Sequence, residues 1–582
     1  MRHGLELADH IVIAGYFVLL STIGFYFWSR MRHARDFFTG NNDIPWWLAG
    51  VSFYMTAFSA FTFIAYSEMA YRHGFVAITL AWSAAAAMAI GTLALAARWR
   101  RARISSPVEF LEARYSKHIR QVLAWAGIPL RVIDDGLKIY ATGVFVSAGM
   151  GYDLTISIIG SGLVMLLYTF MGGLWAVIIT DYVQFIVLTL GVLVLCPMVL
   201  ARLESVAALG EGAPAGFLSP INEPFSPLYV LAFYLLVALS YNGNWAMAQK
   251  FYCVRDESAA RKAGLLAVVL MFAGPPAFIL PAIAARGLMP ELMQPPNSPQ
   301  YVYATLAVQY LPAGLMGLMI AAMFSATMST LSGDYNVMAS VLTGDVYHRL
   351  LNPRASQRQL VLVGRITTLL VGVLTILIGV ALVETARRGL FEIMVTLFGV
   401  FVGPMLIPML AGLLNRRLTW RGAAAGIAAG FASGISLYLV KALVLSRRPG
   451  IDADWLRYDY EAITILTNLA VTVGAMAIVT AWERVTPSDR EQIDTFFRGL
   501  DTPVIRDSVA DRAAPSSPFG VIAWVTLGTA VLLWSAALVQ TSDGGRTINF
   551  AAGLVLAVVA AGLRHLHRRL MTIGAAAIVP VE

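Results

Sequence analysis

Ser329, Thr330 and Ser332 place three hydroxyls on adjoining faces of one turn, within the apolar run Ala326-Thr327-Met328-Ser329-Thr330-Leu331-Ser332-Gly333-Asp334-Tyr335-Asn336. Hydroxyl and carbonyl oxygens are what a small hard cation such as sodium requires once it has lost its water. Close packing of helices through small residues gives the same pattern, so spacing alone leaves both roles open. Asp181 and Gln184 lie one to three turns beyond Gly172-Gly173, a pair that marks a tight turn between two apolar runs. That depth is too great for an ordinary cap, although a carboxylate stabilising the helix dipole is the competing role. Arg131, Asp134, Asp135 and Lys138 fall at helical offsets and are expected to pair along their own helix; contact with a charged solute or an ion pathway is the alternative. Ser52, Thr56, Ser59 and Thr62 recur at intervals of 4, 3 and 3 and share one face, through back-bonding to the preceding turn or through lining a site. Glu68 and Arg72, four apart, can pair.

The elements that must position these groups are apolar. The 582 residues are 58% hydrophobic and 13% charged, with mean hydropathy +0.70. About 25% charge is usual for a soluble chain, so hydrocarbon is the solvent over much of this surface. Fifteen stretches of spanning length occur near 9–29, 45–71, 74–97, 121–149, 152–171, 176–201, 228–248, 263–285, 312–347, 360–384, 390–414, 422–445, 460–482, 519–540 and 546–563. The first lacks a basic leader and a small-residue cleavage site, and is kept as a span. The expected fold class is an all-α polytopic membrane protein.

With the N-terminus outside, 29 of the 42 Lys and Arg residues fall in the inside segments and 9 in the outside ones. This bias predicts an outside N-terminus and a cytoplasmic C-terminus in a cell (inner) membrane. It also accounts for the net charge of +8 and the pI near 9.4 without nucleic acid. Cys196 and Cys253 form no disulfide or metal pattern. P-loop, GxGxxG, HExxH and GxSxG signatures are absent, and the hydrophilic stretch 484–518 is too short for a catalytic domain. The chain therefore reads as a carrier, channel or sensor rather than an enzyme, with no cofactor.

Several motifs together resemble the solute:sodium symporter family. They are Gly172-Gly173 through Thr180-Asp181 and Gln184; Gln249-Lys250 followed by Arg255-Asp256-Glu257-Ser258; Ala326 through Ser332; Thr343-Gly344-Asp345-Val346-Tyr347; and Phe398-Gly399 to Asn415-Arg416-Arg417. Pro107 through Tyr115 looks like the family's first large cytoplasmic loop. The resemblance covers about 20–445 and implies the fold of the bacterial leucine transporter. In it, residues 45–201 and 228–415 form two inverted five-helix repeats, each opening on a helix broken at the midplane. Residues 1–44 hold an extra N-terminal helix and cytoplasmic loop, and 202–227 an extracellular loop. Residues 416–483 add two helices, 484–518 form a cytoplasmic linker, and 519–582 hold two C-terminal helices and a basic tail.

Carried over residue by residue, the resemblance places the sodium-site carbonyls at Met55, Phe58 and Ala326 and the hydroxyls at Ser329 and Thr330. Asp181, Ser329 and Ser332 match a second sodium set of some members, while Gly333 stands where a further serine would contribute. Ala57 occupies the position of a proline-carrier aspartate, which argues against proline as substrate. The solute site would draw on Ser59, Thr62, Arg131, Tyr241 and Asn244, with Asn242 and Trp245 beside them; helix packing is the alternative role for the aromatic pair. The stretch Ser67–Arg72 is similar to that of anion and vitamin carriers.

The expected function is sodium-coupled import of a small polar solute by alternating access, a sugar or sugar acid first and a monocarboxylate or vitamin-like anion second. Solute, sodium and the lipid bilayer are the expected partners, with no nucleic acid and no obligatory protein partner. A membrane sensor is disfavoured because no kinase or response domain follows the last span, and a passive channel because a dehydrating sodium cage suits stoichiometric coupling.

Overall fold

The computed structural model describes residues 5–28, 42–104, 107–168, 174–205, 209–210, 212–294, 298–385, 389–504, 519–540 and 542–576. Gly172-Gly173 and the end of the 484–518 linker lie outside them. The regular structure of the described residues is helical, apart from one isolated bridge between Ile44 and Val254.

An N-terminal helix α1 (Leu7–Trp28) precedes the first bent pair, α2 (Trp46–Ala57) and α3 (Ala60–His73). Next come α4 (Val76–Ala81), α5 (Ser83–Ala94), α6 (Ala96–Arg101) and the short α7 (Pro107–Arg114). The long α8 (Lys117–Met150) is followed by α9 (Leu154–Tyr168) and α10 (Leu174–Leu200). The second bent pair is α11 (Pro227–Gly243) and α12 (Trp245–Tyr252), leading to α13 (Glu257–Leu288), α14 (Val302–Tyr310) and α15 (Leu315–Val341). Then follow α16 (Gln357–Thr385), α17 (Leu390–Leu414), α18 (Trp420–Leu443), α19 (Tyr460–Trp482), α20 (Pro487–Asp501), α21 (Phe519–Val539) and α22 (Asp543–Ala576).

Among the described residues eleven helices are long and apolar enough to cross a membrane, and three bent pairs bring the number to 14 if each pair is one span. The α2–α3 and α11–α12 pairs bend by 58° and 55°, whereas α8 and α9 turn back by 117°. The fifteen crossings expected from hydropathy are therefore met only when α8 and α9 count separately. The packing is inverted relative to a protein in water. Leu362, Ile366, Leu369, Val373 and Leu377 lie exposed along α16, while Asp135, Asp181 and Asn468 are buried between helices. Backbone groups in hydrocarbon need internal partners, and helices supply them.

Both sharp breaks end in the same local chemistry. Phe58 and Ser59 leave the helix in extended conformations, and Asn244 does so with φ −66° and ψ 132°. Asn244 then caps α12, its Oδ1 accepting from the Ala246 N–H at 2.8 Å and the Met247 N–H at 3.3 Å. At the first break the Ser59 N–H donates to Thr62 Oγ1 at 3.4 Å, and the Thr62 hydroxyl donates to the Ala57 carbonyl at 3.3 Å.

The helices outside residues 45–415 are not loosely attached. α1 packs on α21 and α15, and α21 pairs with α22. Asp9 of α1 accepts the Gly314 and Gly317 N–H groups at 2.7 and 2.8 Å, capping α15 where Gly314 has φ +87°. Asn549 of α22 donates to the Ala313 carbonyl at 2.5 Å on the same turn. The stretch 484–504 is more than a linker: Thr486 caps α20, whose Ile493, Phe497 and Leu500 are buried, and Gln492 donates to the Glu112 and Ala113 carbonyls of α7.

Candidate functional site

The break between α2 and α3 releases the last carbonyls of α2 from intrahelical bonding. The Phe58 N–H turns back to the Met55 carbonyl at 3.1 Å. The Ala60 N–H crosses to α15 instead and donates to Thr327 Oγ1 at 3.2 Å. Thr142 of α8 donates to the same oxygen at 3.1 Å, and Thr327 donates onward to the Met323 carbonyl at 3.2 Å. Three elements are thus tied at one buried hydroxyl. The tie sets the break, with Met55 and Phe58, against the turn of α15 that carries Ala326, Ser329 and Thr330. Neither Thr327 nor Thr142 was singled out by spacing, because a lone threonine in an apolar helix carries no local signal.

One turn away a carboxylate performs a second junction. Asp181, 1% exposed in α10, accepts the Ser52 hydroxyl of α2 on Oδ2 at 2.5 Å and the Ser329 hydroxyl of α15 on Oδ1 at 2.8 Å. Lys250 of α12, itself buried, is the cation whose charge acts on Asp181. Helix capping is therefore not the role of Asp181. A serine that gives its proton to a carboxylate keeps its lone pairs for another partner, so Ser329 is oriented as a cation ligand would be. Thr330 donates to the Ala326 carbonyl at 3.4 Å, and Ser332 to the Ser329 carbonyl at 3.1 Å, so every sodium-site residue expected on α15 sits in this one segment.

The expected solute residues divide into separate groups. Arg131 and Asn244 come together: with Asp134, Ser240, Trp245 and Asp334 they line a cavity of about 80 Å³ between α8, the second break, α15 and α17. The Arg131 guanidinium lies over the Trp245 ring, 4.6 Å from its centroid. Ser59 and Thr62 belong to the first break and are used there in capping. Tyr241 lies in the last turn of α11, before the second break, within electrostatic reach of Tyr66 of α3. Asn242 is used in helix packing, donating to the Ala87 and Ala238 carbonyls at 2.8 Å each, with its Oδ1 in the space that a side chain at Gly91 would need.

The charges on α8 pair only partly along their own helix. Lys138 meets Asp134 at 2.7 Å and Asp135 at 3.0 Å, as offsets of four and three allow. Arg131, expected in the same network, instead reaches α15 and pairs with Asp334. The reason is reach: Asp334 lies opposite, and Lys138 already occupies both carboxylates of α8. Glu68 and Arg72 pair as their spacing predicted, at 3.1 Å.

The profile of the sodium:solute symporter family matches residues 37–430. Two curated relatives are the sodium/sialic acid symporter SiaT of Proteus mirabilis, 25% identical over 69% of this chain and 84% of its own, and the sodium/glucose cotransporter of Vibrio parahaemolyticus, 29% identical over 63% and 73%. Among solved structures, a substrate-bound outward-open Na⁺-coupled sialic acid symporter superposes with TM-score 0.68 at 22% identity, covering 83% of this chain and 99% of that one. The architecture is therefore that of a leucine-transporter-like bundle with added helices. With its broken helices, its buried hydroxyl segment and a family match over two-thirds of its length, the chain is a sodium-coupled membrane symporter and belongs to the sodium:solute symporter family.

Proposed function

We propose that this symporter imports a sugar acid, with neutral sugars as the nearest competitors. The observation that carries the choice is the Arg131 guanidinium, lying over Trp245 and beside Asn244 in a cavity. Its present partner is a carboxylate, Asp334, so a carboxylate on the solute can take the same place with the same planar geometry. The names of relatives that carry sialic acid and glucose agree with this class. A monocarboxylate without hydroxyls would use Arg131 alike and gain nothing from Asn244.

In this reading one sodium ion is held by the carbonyls of Met55, Phe58 and Ala326 and the hydroxyls of Ser329 and Thr330. Asp181 and Ser332 are the residues a second ion would use. Sodium joins α2 to α15, and that junction pre-forms the space in which Ser59, Thr62, Tyr241 and Asn244 meet the solute. Each ligand then strengthens the other by the same factor. Residues 45–201 and 228–415 act as the two inverted repeats, the N-terminus lies outside and the C-terminus in the cytoplasm.

Proteoliposomes test the reading directly. With an inward sodium gradient, accumulation of N-acetylneuraminate or glucuronate above equilibrium is expected, with weaker glucose uptake. Equal uptake with potassium in place of sodium would remove the coupling, and glucose uptake exceeding that of every acid would remove the sugar-acid assignment.

A further inference from the structure

The α8–α15 cluster carries an unbalanced charge. Asp134, Asp135 and Asp334 face two cations, Arg131 and Lys138. Fully ionised, the group holds one negative charge too many inside a bundle of apolar helices, where an uncompensated charge is costly. The cations are already committed: Arg131 to Asp334, and Lys138 to Asp134, Asp135 and, at 3.8 Å, Asp334.

The excess is localised by geometry. Asp135 is 0% exposed. Its Oδ1 accepts from Lys138 at 3.0 Å, while its Oδ2 is buried with no hydrogen-bond partner. Tyr335 of α15, also 0% exposed, lies within electrostatic reach of Asp135. The polar group facing this pair from α16 is Thr375, whose hydroxyl donates to the Val371 carbonyl at 2.7 Å. The charged groups that act on Asp135 are Lys138 and Asp134 of α8 and Asp334 of α15, with Tyr335 of α15 also in reach. A fully buried carboxylate oxygen without a partner, in a cluster that carries one negative charge in excess, marks an incomplete site.

A sodium ion does not complete it. A hard cation needs several oxygens arranged around it, and here the neighbouring carboxylates are engaged by Lys138 and Arg131, whose charges repel a third cation. No group of acidic, histidine or cysteine side chains suited to a metal occurs among the described residues. A proton needs one oxygen.

We propose that Asp135 is a proton-binding site, distinct from the sodium ligands, and that its carboxyl is neutral while α8 and α15 are in contact. The step is a transfer from hydronium to Oδ2: one O–H bond breaks on the water side, one forms on Asp135, and the cluster becomes neutral. Return of the proton requires water at Oδ2, which the closed α8–α15 contact excludes. Separation of Arg131 from Asp334 opens that contact, so proton exchange at Asp135 accompanies the conformational cycle whatever the solute.

Infrared spectroscopy of the full-length protein in lipid vesicles tests this without a solute. The wild-type protein at neutral pH is expected to show a protonated-carboxyl C=O band that shifts in ²H₂O, is lost in Asp135→Asn and is kept in Asp489→Asn, on α20 outside the cluster. Should Asp135→Asn fail to insert, Asp135→Glu must move the band. Absence of the band from wild type, its persistence in Asp135→Asn or its indifference to Asp135→Glu would overturn the proposal. So would an Asp135 carboxylate band that responds to sodium, which would make the site a metal site instead.

Discussion

The Ser329 hydroxyl donates to Asp181 Oδ1 at 2.8 Å across the interface of α15 and α10. The bond removes the serine proton from the side on which a cation would bind. Ser52 donates to the other carboxylate oxygen, so Asp181 also fixes α2 against α15 at the level of the first break. Ser329→Ala removes both a proposed ligand and one of two bonds to a buried carboxylate. A hydrogen bond to a charged group is worth about 1.5–3 kcal/mol, so the sodium concentration for half-maximal uptake should rise by roughly ten- to a hundredfold. Ser52→Ala, which removes an anchor and no ligand, should shift it less. Uptake with unaltered sodium dependence in Ser329→Ala would sink the site assignment.

These junctions show how far the sequence could be read. Hydroxyl spacing singles out the α15 segment, and its place in the span puts Asp181 too deep for an ordinary cap while leaving stabilisation of the helix dipole open. The two breaks are legible through the family resemblance alone. Partners across helices were not legible. Arg131 and Asp334 are separated by 203 residues and Ser52 and Asp181 by 129, and helical periodicity carries no information about which faces meet. Asp9 was read only as the start of an added span, since nothing local distinguishes an end residue from a cap for a helix 305 residues away. The α20 segment was read as linker because its three buried apolar positions are few among charges.

Thr327 gives the second prediction. It accepts the Ala60 N–H that the break leaves without a helical partner, and an unsatisfied buried donor costs about 1–3 kcal/mol. Thr327→Val keeps the shape and removes the acceptor, so it should lower the unfolding midpoint and slow uptake with little change in solute half-saturation. Thr327→Ser retains the hydroxyl and should restore both. A valine variant as stable and active as the serine variant would show that water or another group serves Ala60.

Arg131 separates solute recognition from the helix contact. Arg131→Gln should raise the half-saturation for a sugar acid by at least about tenfold, the loss of one charge-assisted pair, and leave neutral sugar uptake closer to wild type. It also strands Asp334, so the single variant should lose thermal stability that Arg131→Gln with Asp334→Asn regains. Recovery of stability without recovery of acid affinity is the expected signature. Recovery of both would show that Arg131 acts on the solute only through the fold.

Asp9 connects the added N-terminal helix to the helix that carries the proposed sodium ligands. It is 0% exposed and caps α15 through Gly314 and Gly317. Gly317 allows the approach, because a Cβ there would lie 2.5 Å from the Asp9 carbonyl oxygen. Loss of a capping side chain costs about 0.5–2 kcal/mol, here without water to replace it. Asp9→Ala should therefore speed hydrogen exchange in the first turns of α15, whereas Asp9→Asn, which keeps the accepting oxygen, should not. Gly317→Ala should reproduce the alanine phenotype by forcing α1 outward. If the N-terminal end of α15 is what holds Ser329 and Thr330 in register with the first break, both disruptive variants will also weaken sodium activation of uptake. Faster exchange with unchanged sodium activation would confine Asp9 to stability and make α1 a brace for the scaffold rather than part of the coupling path.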